Sequence, residues 1–194
     1  MQRRAYIERK TKETDISLSL QLDGEGRSEV STGIPFFDHM LSLMAMHGLF
    51  DLSLRAKGDL EVDFHHTVED VGIALGEGIK GALGDGAGIR RFGEALVPMD
   101  EALSRVVLDI SGRPYLGYRV KAKGRVKDFD LELVESFFKA LVDHAGLTLH
   151  IDLLYGKNLH HIIEAIFKGF GRALDKACGL DERRVGVPST KGRL

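Results

Sequence analysis

Apolar and polar residues alternate from Ala5 to Leu22, with Ile16, Leu18, Leu20 and Leu22 on one side and Ser17, Ser19 and Gln21 on the other. A period of two predicts extended strand with one face toward a core. Asp23-Gly24-Glu25-Gly26 predicts a turn. Pro35 then opens an apolar segment that reads as helix to about His47, with Gly48 as its stop. Phe50 to Ala56 reads as strand. From His65 to about Leu83 the apolar residues Val68, Val71, Leu75, Ile79 and Leu83 recur at helical spacing.

The same order then returns. Ala102 to Ile110 and Tyr115 to Lys121 read as strands, and Asp130 to Ala145 as a helix with Leu133, Phe137, Phe138 and Leu141 on its apolar side. Leu147 to Leu154 reads as strand, and His160 to Cys178 as a helix carrying Ile163, Ile166, Phe170, Leu174 and Ala177 in register. His39 and Ser136 occupy matching places, as do His47 and His144, and each half runs on through a strand to a His-His pair. His65-His66-Thr67-Val68-Glu69 and His160-His161-Ile162-Ile163-Glu164 share the pattern His-His-x-x-Glu at the start of a helix. Duplication at so long a period points to two copies of one packing unit. The expected fold is α+β: two pseudo-symmetric halves, 1–85 and 89–194, forming one catalytic unit. Each half is expected to be a mainly antiparallel or mixed sheet with helices on one face. Gly84 to Gly88 is the expected joint.

Composition narrows the options. A chain of 194 residues suits one domain or two half-domains on a shared core. Apolar residues make up 43% and charged residues 29%, with a net charge of −2, so nothing marks a nucleic-acid or anionic-membrane binder. No apolar run approaches the ~20 residues of a membrane span, and the first residues lack a secretory segment. With one cysteine, Cys178, no internal disulfide can form, and the expected setting is the reducing cytoplasm.

All eight histidines (39, 47, 65, 66, 144, 150, 160 and 161) fall in the matched regions. Residues four apart share a helix face, so His65 can stand with Glu69 and His160 with Glu164, while His66 and His161 point about a quarter-turn away. A lone histidine near a helix start is more often a cap or a solvated group than a ligand. Two matched His-His-x-x-Glu motifs shift that balance to metal binding. Imidazole and carboxylate without thiolate favour Mn, Fe, Co or Zn, with Zn the main rival to Mn. His150, within a strand, is the weaker candidate. Arg90 and Arg91 between glycines, Arg113 in the turn Ser111-Gly112-Arg113-Pro114, and Pro188-Ser189-Thr190-Lys191-Gly192 suit phosphate oxygens, although each alone reads equally as a solvated surface.

Five motifs carry a resemblance: Phe37-Asp38-His39-Met40-Leu41, Asp63 to Asp70, Ser111 to Tyr115, Gly156 to Glu164, and Pro188 to Gly192. Together, over about Arg4 to Gly192, the chain resembles the imidazoleglycerol-phosphate dehydratase family of histidine biosynthesis. The resemblance implies a duplicated α+β fold, trimers assembled into an octahedral homo-oligomer, and active sites between subunits holding two Mn²⁺ ions. It implies one metal on His39, His66, His160 and Glu164, and another on His65, Glu69 and His161. Glu13 would meet the substrate, Arg91, Arg113, Ser189 and Lys191 would bind its phosphate, and Lys168 and His47 would line the site. Many members carry His where this chain has Ser136, and His144, two turns further along the same helix, is the expected replacement ligand.

The implied reaction removes water from imidazoleglycerol phosphate to give imidazoleacetol phosphate. The proton to be removed lies on a carbon without a neighbouring carbonyl, so the ring must act as electron sink. Metals on the ring nitrogens would favour imidazolate, which expels the adjacent hydroxyl through a diazafulvene-like species. Glu13 is then the favoured base, with Glu69 and Glu164 as the other catalytic carboxylates. Two other readings stand beside this one: a metal-dependent phosphate-ester hydrolase, and a shell protein in which ions only join subunits.

Overall fold

The computed structural model describes residues 3–194. The alternating stretch folds as two strands, β1 (Arg4–Lys10) and β2 (Thr14–Gln21), paired antiparallel through the turn at Thr11 to Glu13. There follow β3 (Ser28–Ser31), α1 (Pro35–Gly48), β4 (Asp51–Gly58) and α2 (His65–Leu83). The second round runs β5 (Phe92–Met99), β6 (Ala102–Asp109), β7 (Tyr115–Arg119), a small hairpin of β8 (Arg125–Val126) and β9 (Phe129–Asp130), α3 (Glu132–Ala145), β10 (Thr148–Tyr155) and α4 (Leu159–Cys178).

The sheets have the orders β1-β2-β4-β3 and β5-β6-β10-β7. In each, the first three strands are antiparallel and the last joins in parallel. The fold is therefore α+β with two sheet-and-helix halves of one topology, the β8–β9 hairpin being the extra element of the second. Each sheet turns one face inward: Ile16, Leu18 and Leu20 of β2 and Leu52 and Leu54 of β4 are buried, as are Val106 and Leu108 of β6 and Leu149 and Ile151 of β10.

Two strands lie where the alternation is weak. The inward positions of β5 include Gly93 and Ala95, and its exposed positions include Phe92 and Leu96, so the apolar signal is reversed for half the strand. Its proline, Pro98, is tolerated because β5 is an edge strand. β3 is a four-residue polar edge, too short to show a period.

The helices of the two halves pack crosswise, α1 against α4 and α2 against α3. Gly48 is the last residue of α1, as expected, and it also belongs to this contact; Leu49 takes the left-handed cap at φ 53°. At the same crossing a Cβ on Gly171 would drive into the carbonyl oxygen of Met44. In the other pair a Cβ on Gly72 would lie 2.6 Å from the Phe137 carbonyl oxygen. Between the sheets Phe37, Phe129, Phe137, Phe138, Phe167 and Phe170 form one aromatic core drawn from both halves. Gly171→Ala, by overpacking the α1–α4 crossing, is expected to cost about 1–3 kcal/mol of stability, read as a lower urea midpoint. An unchanged midpoint would show that the two helices separate freely.

Candidate metal and substrate site

Both His-His pairs sit in the first turn of a helix, and a side chain two residues earlier accepts from the backbone N–H of the first His in each. The Asp63 carboxylate accepts from the His65 backbone N–H at 2.7 Å, and the Asn158 side chain accepts from that of His160 at 2.9 Å. Each bond satisfies one of the free N–H groups of the helix start. In α1, Pro35 supplies the pre-set first position, and the Asp38 carboxylate accepts from the Thr32 backbone N–H and hydroxyl at 2.8 and 2.6 Å. That bond fixes the first turn from which His39 projects.

The contact of α1 with α4 brings His39 to His160 and Glu164. Ligand atoms of these three residues lie within 4.8 Å of one another, the one such three-residue group among the described residues. Glu164 is buried. Desolvation opposes its ionisation, but the Lys168 ammonium, at 2.6 Å, together with His160 and His39, outweighs it and holds the carboxyl below its ordinary range. The Lys168 charge and burial together push His47 down, burial being the larger cause, so its imidazole is neutral near pH 7. Lys168 and His47 therefore stand beside the cluster.

At the other helix start His65 lies 3.4 Å from Glu69, and both are half exposed. His66 Nδ1 is 3.0 Å from the Asp59 carboxylate and 3.9 Å from that of Glu13. The bond to Asp59 raises the His66 pKa. His161 repeats this arrangement, with Nδ1 2.7 Å from Glu101 and its pKa raised by that bond. Both rings thus have one nitrogen held by a carboxylate and the other left for a ligand, the usual condition of a metal-binding histidine. Cys178 is buried and its thiol is pushed up to about 12 by burial, so it offers no thiolate.

Aromatic rings flank both helix starts. The Phe36 ring packs against His160 at 5.2 Å and against Phe129 of the small hairpin at 5.3 Å, and Phe36 and Phe129 share a cavity with Phe64, next to His65. Within one subunit the structure therefore joins His39 to His160 and Glu164, and His65 to Glu69. It does not bring His66 into the first group or His161 to the second.

Nor does it bring His144 there. His144 Nδ1 is 2.9 Å from the Ala140 carbonyl of its own helix, and its Cβ lies against the site of Gly76. Gly76 is about three turns along α2 from His65, roughly 16 Å at 1.5 Å per residue. Within one subunit, then, the ring of His144, the expected replacement for the ligand at 136, lies away from the start of α2 that carries His65. Ser136 itself lines a cleft of about 420 Å³ with His65, Asp63, Asp128, Asp130 and Glu132. His150 stands on the outer face of its sheet against Tyr115 and belongs to neither cluster.

Two of the phosphate candidates, Arg91 and Arg113, meet at Asp109. The Arg91 guanidinium donates to both Asp109 oxygens, at 2.7 and 3.1 Å, and to the Pro188 carbonyl at 2.8 Å, while Arg113 lies 3.9 Å from the same carboxylate. The Lys191 backbone N–H donates to the Ser189 hydroxyl at 3.2 Å. Arg91 thereby ties the Ser189 to Lys191 turn to the end of β6. Sequence reasoning missed Asp59, Glu101 and Asp109. The signal available was weak: each is a single carboxylate at or beside a strand end. The caps Asp63 and Asn158 were more legible, since each stands two residues before its pair.

Fold and site together define a duplicated α+β protein with imidazole–carboxylate clusters at the starts of its helices, a donor set suited to divalent first-row cations. The imidazoleglycerol-phosphate dehydratase family model matches residues 32–174. Imidazoleglycerol-phosphate dehydratases from Citrifermentans bemidjiense and Acetivibrio thermocellus are 58% and 60% identical to the chain, each over the whole of both proteins. The crystal structure of that enzyme from Staphylococcus aureus superposes with a TM-score of 0.83 at 42% identity, covering 92% of this chain and 99% of the other. The one from Pyrococcus furiosus gives 0.85 at 40%, covering 97% and 100%. The chain belongs to the imidazoleglycerol-phosphate dehydratase family, and its activity is that of a carbon–oxygen hydro-lyase in histidine biosynthesis.

Proposed function

We propose that the chain dehydrates D-erythro-imidazoleglycerol phosphate to imidazoleacetol phosphate at a site holding two divalent cations, Mn²⁺ by preference. The observation that carries this reading is the convergence of His39, His160 and Glu164, repeated in outline by His65 and Glu69 at the other helix start. The donor chemistry fits: neutral imidazoles and carboxylates, rings held through one nitrogen, and no thiolate. One cation would take His39, His66, His160 and Glu164, and the other His65, Glu69 and His161. Because a single subunit does not bring His66 to the first set or His161 to the second, each is completed by a neighbouring subunit. That requirement supports an obligatory homo-oligomer, a trimer-based octahedral particle in this reading. Halves 1–85 and 89–194 form one unit, and the cytoplasm is the proposed setting.

When bound, the cations supply Lewis acidity at the substrate ring. The residues do the rest. Glu13, half exposed beside His66, takes the proton from the glycerol chain. Arg113, Ser189 and Lys191 hold the phosphate, and Arg91 both contributes and orders their turn through Pro188 and Asp109. Lys168 keeps Glu164 ionised. His47 and Lys168 close the side of the site.

A phosphate-ester hydrolase would need the phosphate groups but no ring recognition. Triazole compounds should therefore inhibit competitively against imidazoleglycerol phosphate, and the inhibition should require added Mn²⁺. Turnover that is indifferent to triazoles, or product containing free phosphate, would rule the dehydratase reading out.

A further inference from the structure

The two halves place an equivalent carboxylate in the turn between their first two strands: Glu13 between β1 and β2, and Glu101 between β5 and β6. The two have diverged. At His66 the ring nitrogen is held by Asp59, 3.0 Å away, and Glu13 stands off at 3.9 Å. At His161 there is no counterpart of Asp59, and Glu101 itself takes the ring at 2.7 Å. Its other oxygen accepts from the backbone N–H groups of Lys157 and Asn158, at 3.1 and 2.7 Å. Asn158 is the residue that caps α4 through His160. The turn that presents Glu101 is held with Asp100 at φ 45°, a left-handed conformation that a non-glycine residue adopts at a cost.

From this we infer that Glu101 is a positioning residue. It fixes the orientation and tautomer of His161, so that Nδ1 carries the proton and Nε2 is the cation ligand, and it locks the start of α4 that carries His160 and His161. The inference rests on the di-cation reading above. His161 Nε2 has no bond of its own; the nearest carboxylate, the exposed Asp100, lies 3.7 Å away. A carboxylate on the far nitrogen of a ligating imidazole raises ligand basicity and removes the freedom of the ring to turn. The same atoms explain why the halves differ in role. Glu13, relieved of its histidine by Asp59, is free to face substrate, whereas Glu101 is fully engaged.

The test is Glu101→Gln in the full assembled protein. The Gln carbonyl can still accept from Lys157 and Asn158, but its amide presents donors to His161 Nδ1 and favours the opposite tautomer. Mn²⁺ titration against a competing chelator should show one of the two sites about 10–100-fold weaker, with melting of the metal-free protein unchanged. In a His161→Asn background the same substitution should produce no further loss, because its effect passes through that ring. Unaltered Mn²⁺ affinity in E101Q overturns the inference. So does a lowered melting point of the metal-free protein without a metal effect, or an equal loss in both backgrounds. Wild-type protein that binds no Mn²⁺ at all would instead remove the di-cation reading, and this inference with it.

Discussion

If Glu13 is the base proposed above, Glu13→Gln is expected to lower kcat by about 10²–10⁴-fold, the contribution of a well-placed general base, with metal content unchanged. The substitution keeps size and hydrogen-bonding reach and removes only the ability to accept a proton. The local structure does not depend on the charge. The turn is held by backbone and threonine, the Thr14 N–H donating to the Thr11 hydroxyl at 2.9 Å and the Asp59 N–H to the Glu13 carbonyl at 3.1 Å. Nor does the nearby ring depend on it, since Asp59 already holds His66. Steady-state rates and metal content by elemental analysis decide the matter together. Full activity excludes Glu13 as the base. Lost metal with lost activity would make it part of the metal site instead.

Phe167→Ala should cost about 3–5 kcal/mol, the range for deleting a fully buried aromatic. In a protein of this size that is roughly 6–20 °C in apparent melting temperature. Phe167 is completely buried, its ring 5.4 Å from that of Phe137 and 5.2 Å from that of Phe138, and Phe37 meets it edge-on. Those partners come from α1 and α3, so the side chain joins three helices at once. It also lies one turn beyond Glu164 on α4. Loosening that turn should weaken Mn²⁺ binding as well as folding. A small melting shift with unaltered metal affinity would mean that the core refills the space and that the site does not lean on it.

Much of this was legible without coordinates. The strands β2, β4, β6 and β10 and all four helices follow from periods of two and 3.6, because half-buried elements must sort their side chains by face. The repeated His-His-x-x-Glu motif was visible too, since ligands on one helix keep fixed spacing. Strand β5 was not, because its inward positions are small residues and its exposed ones include Phe and Leu. The distance of His144 from His65 within one subunit was not legible either. Counting turns along one helix says nothing about the direction in which a neighbouring helix runs.

By itself, then, the sequence determined the local terms: which segments coil or extend, that the unit occurs twice, and that imidazole and carboxylate are offered in pairs at two helix starts. Tertiary structure alone decided how those pairs combine. The crosswise packing of α1 on α4 and of α2 on α3 put His39 with Glu164, left Ser136 rather than His144 beside His65, and gave His161 to Glu101. These are encounters between residues far apart in the chain. They are set by close packing of glycine-lined helices and a shared phenylalanine core, and no local period encodes them.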